Sequence, residues 1–242
     1  LSRIPATQVE RIEIIRGTSG DLDVRGATQI INIVLLEAES RSSINYEVNV
    51  DHNHDGEIKP GAKLSLSGQR GAFDYLVSAE SESRWEYRVG EEVSLLADGS
   101  LNEIIYRTTT RDAQPLVVST NLGYQFGVSD IVHFNAQYED SDTPQEDTRA
   151  IFDYQVTPIG LAHELDDIDL DSDFWEIGGD YEHTFSNGNR LKSLFIVNRK
   201  ESDRLRNRFL VNPTDNTNNL FLGTFNRYQE RIIRSSYSMD LT

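Results

Sequence analysis

Apolar and polar residues alternate with a period of two along most of the chain. Ile44, Tyr46, Val48 and Val50 alternate with Asn45, Glu47, Asn49 and Asp51. Phe73, Tyr75, Val77 and Ala79 share one face, with Asp74, Ser78 and Glu80 on the other and Leu76 out of step. Leu116, Val118, Leu122, Tyr124 and Phe126 repeat the pattern, and so do Val132, Phe134, Ala136 and Tyr138. Trp175, Ile177, Gly179 and Tyr181 follow, then Tyr237, Met239 and Leu241. Successive side chains of a strand point to opposite faces, so this period predicts strands with one apolar and one polar face. No segment sustains the 3.6-residue period of an amphipathic helix, and the predicted class is all-β.

The connections add to this. Gly71, the segment Gly127-Val128-Ser129-Asp130 and the segment Ser186-Asn187-Gly188-Asn189 read as tight turns; the last carries the Asn-Gly pair of hairpins. Between them lie polar segments at Val89–Pro115, Ser141–Ser172 and Glu201–Leu222, with a shorter one at His52–Pro60. The expected arrangement alternates short turns at one end with long loops at the other, as in an up-and-down outer-membrane barrel. Within the first long segment, Val93–Ala97 and Leu101–Tyr106 flank Asp98-Gly99 and predict a projecting hairpin. Aromatic residues gather at both strand ends: Phe73, Tyr75, Tyr124, Phe126, Tyr181 and Phe185 near the short turns, and Trp85, Tyr87, Tyr138, Phe174 and Trp175 at the other end. Two such belts are the pattern of a membrane barrel's interfacial girdles.

Composition narrows the classes. The 242 residues carry 40 acidic and 23 basic side chains, a formal charge of -17. A surface this acidic repels phosphates, which argues against nucleic acid as a partner. There is no Cys, hence no disulfide or thiolate metal site. Mean hydropathy is -0.50, and no apolar run is long enough for a membrane helix, a test that strands of alternating polarity escape. No basic and apolar leader stands at Leu1, and the chain reads as a fragment or processed product.

The opening segment is more specific. Val9-Glu10-Arg11-Ile12-Glu13-Ile14-Ile15-Arg16-Gly17 resembles a strand near the end of the plug domain of TonB-dependent outer-membrane receptors. Ile30-Ile31-Asn32-Ile33-Val34 resembles the strand that follows it, and Pro5-Ala6 the turn before the first. Thr18 stands where many members have Pro, and Asp21–Gly26 and Ala27-Thr28-Gln29 depart from the family's usual connection. The resemblance implies a plug segment over residues 1–38 and the first strands of a transmembrane β-barrel over 39–242. It implies a receptor that binds a scarce nutrient at the cell surface and imports it with energy relayed by the TonB–ExbB–ExbD complex. The expected ligands are a siderophore, cobalamin or an oligosaccharide; outer-membrane lipid is an expected partner, and no cofactor and no enzymatic chemistry are expected. It also implies that Arg16, with Arg11 beside it, locks plug to barrel through inner-wall carboxylates such as Glu47, Glu80, Glu139, Asp180 and Glu182.

Other residues invite chemistry. Arg88, Arg107 and Arg111, near Tyr87 and Tyr106, are candidates to grip an anionic or aromatic ligand from a loop. The run Asp166, Asp167, Asp169, Asp171, Asp173 and Glu176 has carboxylates for Ca²⁺ but fails the EF-hand spacing at Ser172 and Gly178, so a solvated acidic loop is the preferred reading. His52, His54 and Asp55 carry metal-binding atoms at a hairpin tip, where a plain polar tip is preferred. No phosphate loop or nucleophile motif stands out. The alternative from another class is a secreted β-sandwich adhesin or carbohydrate-binding module, whose apolar faces would meet in a core; a third is a barrel enzyme with a clustered site at its rim.

Overall fold

The computed structural model describes residues 9–16, 29–35, 41–211 and 216–239. Every element in it is a strand, and every pairing is antiparallel. β1 (Val9–Arg16) and β2 (Gln29–Leu35) form a two-stranded sheet of their own, with Ile14 opposite Ile31. Only the backbone pairing of these two strands is described.

A ten-stranded sheet holds β3 (Arg41–His52), β4 (Ile58–Arg70), β5 (Phe73–Glu82), β6 (Arg84–Leu95), β7 (Leu101–Phe126), β8 (Asp130–Asp142), β9 (Gln145–Asp153), β10 (Gly160–Thr184), β11 (Arg190–Val211) and β12 (Asn216–Ser238). Its order is β12-β11-β10-β8-β7-β5-β4-β3, with β6 pairing β7, and β9 lying between β7 and β10. β5 and β6 therefore run on as one line broken at Ser83, and β8 and β9 as another broken at Thr143-Pro144. The sheet is a meander that ends on β3 and β12, and β6, paired only with β7, leaves its other edge open above β4. At 26 residues, β7 reaches roughly 85 Å at about 3.3 Å per residue.

This corrects the expected loops. Val89–Pro115, Ser141–Ser172 and Glu201–Leu222 are mostly strand, and the connections are short at both ends of the sheet. The distal halves of β7, β10, β11 and β12 pair with each other or with β6 and β9, so their polar backbone groups are satisfied in ladders instead of by water. The hairpin at Asp98-Gly99 is present: Gly99 has φ 84°, its N–H donates to the Leu96 carbonyl, and Leu96 N–H donates to Ser100. Gly188 at the Asn-Gly turn likewise has φ 86°, a conformation other residues rarely adopt.

Pairing registers carry one face across the whole sheet. Ile44 lies opposite Leu66, Leu66 opposite Val77, Val77 opposite Thr120 and Thr120 opposite Ala136. Ala136 lies opposite Ile177, and Ile177 opposite Val197. This band includes Tyr46, Val48, Leu64, Leu116, Val118, Phe134, Phe195 and Ile233, and its large residues are exposed: Tyr46 is 81% and Ile44 68% accessible. The opposite face carries Ser65, Ser67, Ser78 and Ser119, all buried. Ile168 is the single buried large hydrophobe among the described residues. The usual arrangement of a water-soluble protein is inverted.

One close approach fixes a glycine in the band. A Cβ at Gly179 would sit 2.6 Å from the backbone oxygen of His133 and 3.0 Å from the Phe195 ring. Gly179→Val must therefore push β8 away from β10. The expected cost is about 1–3 kcal/mol, read as a lowered unfolding midpoint; an unchanged midpoint would contradict the close packing of this strand pair.

Candidate functional site

The polar face is the functional surface the structure offers, and alternation puts its side chains there. Across the lower part, Ser78 and Ser119 share a hydroxyl hydrogen bond of 2.8 Å. Lys63 pairs with Glu82 at 2.9 Å, and Asn49 donates to the same carboxylate at 3.3 Å. His133 Nδ1 lies 3.1 Å from Asp180, which Lys192 approaches at 3.6 Å. Asn198 lies between Glu176 and Glu230, 3.3 Å from each. Hydroxyls, amides and charges line this face, where a soluble sheet would present Leu and Val to a core.

Higher up is an ion-pair cluster. Glu164 and Asp166 on β10 stand opposite Arg149 and Asp147 on β9, and Asp166 stands opposite Arg208 on β11. Asp166 is only 1% exposed. It accepts hydrogen bonds from Arg149 at 2.9 Å, Arg206 at 2.7 Å and Arg208 at 2.9 Å. Arg149 and Arg208 also reach Glu164, at 3.3 and 3.7 Å. Beside them Asp147, 2% exposed, takes Arg107 at 2.6 Å. Burial works against the charge on Asp166, but hydrogen bonds and charge from Arg206 and Arg208 outweigh it and hold its pKa down to about 2. A buried carboxylate needs this degree of pairing, because a lone one would cost several kcal/mol. The cluster rivets β9, β10 and β11 together beyond the apolar band.

Next to the cluster the face dips into an open hollow of about 500 Å³. Gln137, Ser141, Ser172 and Ser202 form its floor, Arg84, Arg111 and Lys200 stand at its sides, and Glu80, Glu82 and Glu139 complete it.

The expected site residues divide between the faces. Arg88, Arg107 and Arg111 lie on the polar face, opposite Thr109, Arg149 and Gln145 or Glu86 in the registers. Arg107 is held by Asp147, and exposed Arg88 by Glu86 at 2.8 Å. Tyr106 and Tyr87 lie on the other face; Tyr106 packs edge-on against Phe152 at 5.8 Å, and Tyr87 against His54 at 5.5 Å. The expected grip by Arg and Tyr together is thus corrected, since neighbours in a strand point apart. Glu47, Glu80, Glu139, Asp180 and Glu182 all fall on the polar face through the registers. The side chains of Arg11 and Arg16 lie outside the described residues.

The acidic run is strand, not loop. Asp166 and Glu176 project to the polar face, while Asp167, Asp169, Asp171 and Asp173 project to the other. There, partial burial and then Asp142, Asp169, Asp203 and Asp140 raise the Asp171 pKa. No group of three metal-ligating side chains occurs among the described residues. At the β3–β4 tip the Trp85 indole donates to Asp55 at 2.7 Å, occupying the carboxylate paired in expectation with His52 and His54.

No family model matches the chain, and no curated protein matches it.

Asp166 has a folded-state pKa below its ordinary 3.8, so its contribution to stability is full above that value and disappears as pH falls through about 2. The shift corresponds to about 2 kcal/mol. Asp166→Asn should therefore speed hydrogen exchange of the β9–β11 backbone at neutral pH, and the gap between variant and parent should close between pH 4 and about 2. A gap that persists unchanged at low pH would contradict the ion-pair account.

Proposed function

We propose that the chain is part of an outer-membrane β-barrel whose apolar band faces lipid and whose polar face lines the interior. The observation that carries this is the inversion of the sheet: an exposed apolar face running from β3 to β11, interrupted on β12 by Arg231 opposite Val197, and buried serines and ion pairs on the other side. The band measures roughly ten residues on β7, from Leu116 to Phe126, as a tilted membrane strand requires. Aromatic residues stand at both limits: Tyr124, Phe126 and Tyr181 below, Tyr138 and Trp175 above. The free edges β3 and β12 suit a sheet that is one arc of a larger closed one, because closure removes edges.

More narrowly, the reading is a TonB-dependent receptor, with residues 1–38 at the end of its plug and 39–242 opening its barrel. The support is the motif Val9–Gly17 followed by Ile30–Val34, together with the pairing of these two segments as β1 and β2. In this reading a ligand bound above the membrane passes inward when the TonB–ExbB–ExbD complex pulls on the plug, with no covalent chemistry. Arg16 and Arg11 are the proposed plug side of the lock, and carboxylates such as Glu80 and Glu139 the barrel side. The sandwich alternative needs a second apolar layer over Ile44, Leu64, Val118 and Phe134, and none covers them among the described residues.

Neighbouring residues test the lipid-facing claim. Ala136→Arg places a charge mid-band on the lipid side and should cost about 2–4 kcal/mol of insertion stability. Gln137→Arg, one position along on the polar face, should cost far less. Equal costs would contradict the assignment of faces. The importer reading predicts a solute depleted from the medium only by cells that hold both this protein and TonB; no such solute across a broad metabolite screen would contradict it.

A further inference from the structure

The hollow on the polar face has a composition that points to a ligand. The chain as a whole is strongly acidic, yet eight arginines on the strands beyond the apolar band project to the polar face. On the other face the same strand segments carry Glu91, Asp112, Glu146, Asp167, Asp169 and Asp171, and its arginines, Arg199 and Arg227, are both paired with Glu201. Most of the cations beyond the band are thus collected inside.

Four of these arginines, Arg107, Arg149, Arg206 and Arg208, are spent in the Asp166 and Asp147 pairs, and Arg88 pairs with Glu86. Arg84, Arg111, Lys200 and Arg204 have no carboxylate partner among the described residues. Three of them line the hollow, and Arg204 follows Ser202 along the same face of β11. They stand as two opposed pairs. Arg84 and Arg111 come from β6 and β7 on one side, and Lys200 and Arg204 from β11 on the other. With β8 and β10 between, β7 and β11 are three strand spacings apart, about 14 Å. The floor offers Gln137, Ser141, Ser172 and Ser202, groups that donate hydrogen bonds to oxygen without adding charge. Of the three carboxylates in the lining, Glu82 is neutralised by Lys63 at 2.9 Å, and Glu80 and Glu139 are the two assigned above to the plug arginines. A volume of about 500 Å³ falls in the range of small-molecule pockets.

We propose that this hollow binds a small polyanion rich in oxygen, with acidic groups on opposite sides roughly a nanometre apart. Guanidinium forks hold one side and an ammonium with a guanidinium the other, while hydroxyls take the ligand's uncharged oxygens. The proposal rests on the reading of this face as a barrel interior, where field lines between low-dielectric walls concentrate an anion. It narrows that reading from any nutrient to an anionic one.

The test uses outer-membrane vesicles carrying the protein, with inositol hexakisphosphate as probe and neutral maltotriose as control. Insertion is measured separately by protease protection, so failure of the barrel reading is seen before any binding is scored. In inserted protein the probe should bind saturably and maltotriose should not compete. The double variant Arg111→Gln with Lys200→Gln should weaken binding at least tenfold. Arg111→Lys with Lys200→Arg should recover most of it, and Arg199→Gln, on the other face, should leave it unchanged. No saturable binding to inserted protein would overturn the proposal, as would equal weakening by the Arg199 substitution. A parent that binds nothing while the double variant loses stability would assign these cations to holding another part of the polypeptide, and would overturn it too.

Discussion

A single layer of sheet cannot bury its apolar face within itself, and that constraint shapes everything else in this protein. Residues such as Ile44, Tyr46, Val48 and Ile233 lie open, and each buried large apolar side chain is worth about 1.5–3 kcal/mol. Water-soluble monomers rarely leave such a patch contiguous beyond a few hundred Å². An apolar solvent is the partner proposed here for a face so wide. On the proposed reading the same constraint explains the buried serines: with an apolar surrounding on one side, polar and charged groups collect on the other, where they satisfy one another.

Ion pairs take over where the apolar band ends. Beyond Trp175 the strands run on without a hydrophobic core. There Asp166 and Asp147 draw Arg107, Arg149, Arg206 and Arg208 across four strands. One carboxylate receiving three guanidinium donors is costly to bury, but breaking such a set is costlier, because it leaves charges without partners. The arrangement also fixes register: slipping β11 by one residue against β10 would turn Arg206 and Arg208 to the acidic outer face. Interior cations left over from this pairing give the hollow its character.

The lower sheet was legible in the sequence, and the upper sheet was not, for a physical reason. Ile44 to Val50 and Val132 to Tyr138 alternate in hydropathy, because one face meets an apolar surrounding and the other a polar one. Distal to the band the outer face mixes carboxylates with Val89, Val93, Tyr106, Leu161 and Leu205, so hydropathy alternates less regularly and much of the period survives as charge sign. Glu164 and Asp166, and Arg204, Arg206 and Arg208, alternate in this way but read as loop when polarity alone is followed. The Asp98-Gly99 turn was visible because its backbone demands glycine. The Asp166 cluster was not, since Asp166 takes Arg208 from 42 positions away, and their meeting depends on a register that hydropathy does not state. The placing of Arg107 and Tyr106 on opposite faces was implicit in their adjacency once the segment is known to be strand.

The central claim is that residues of one parity face lipid and those of the other face water. The chain has no Cys, so single cysteines from Ile131 to Tyr138 can each carry a nitroxide in outer-membrane vesicles. Collision rates with oxygen and with a water-soluble nickel chelate then read the surroundings position by position. The account predicts oxygen-dominated collisions at Val132, Phe134, Ala136 and Tyr138, and chelate-dominated collisions at Ile131, His133, Asn135 and Gln137. Chelate access at all eight positions, or no alternation between them, would contradict it.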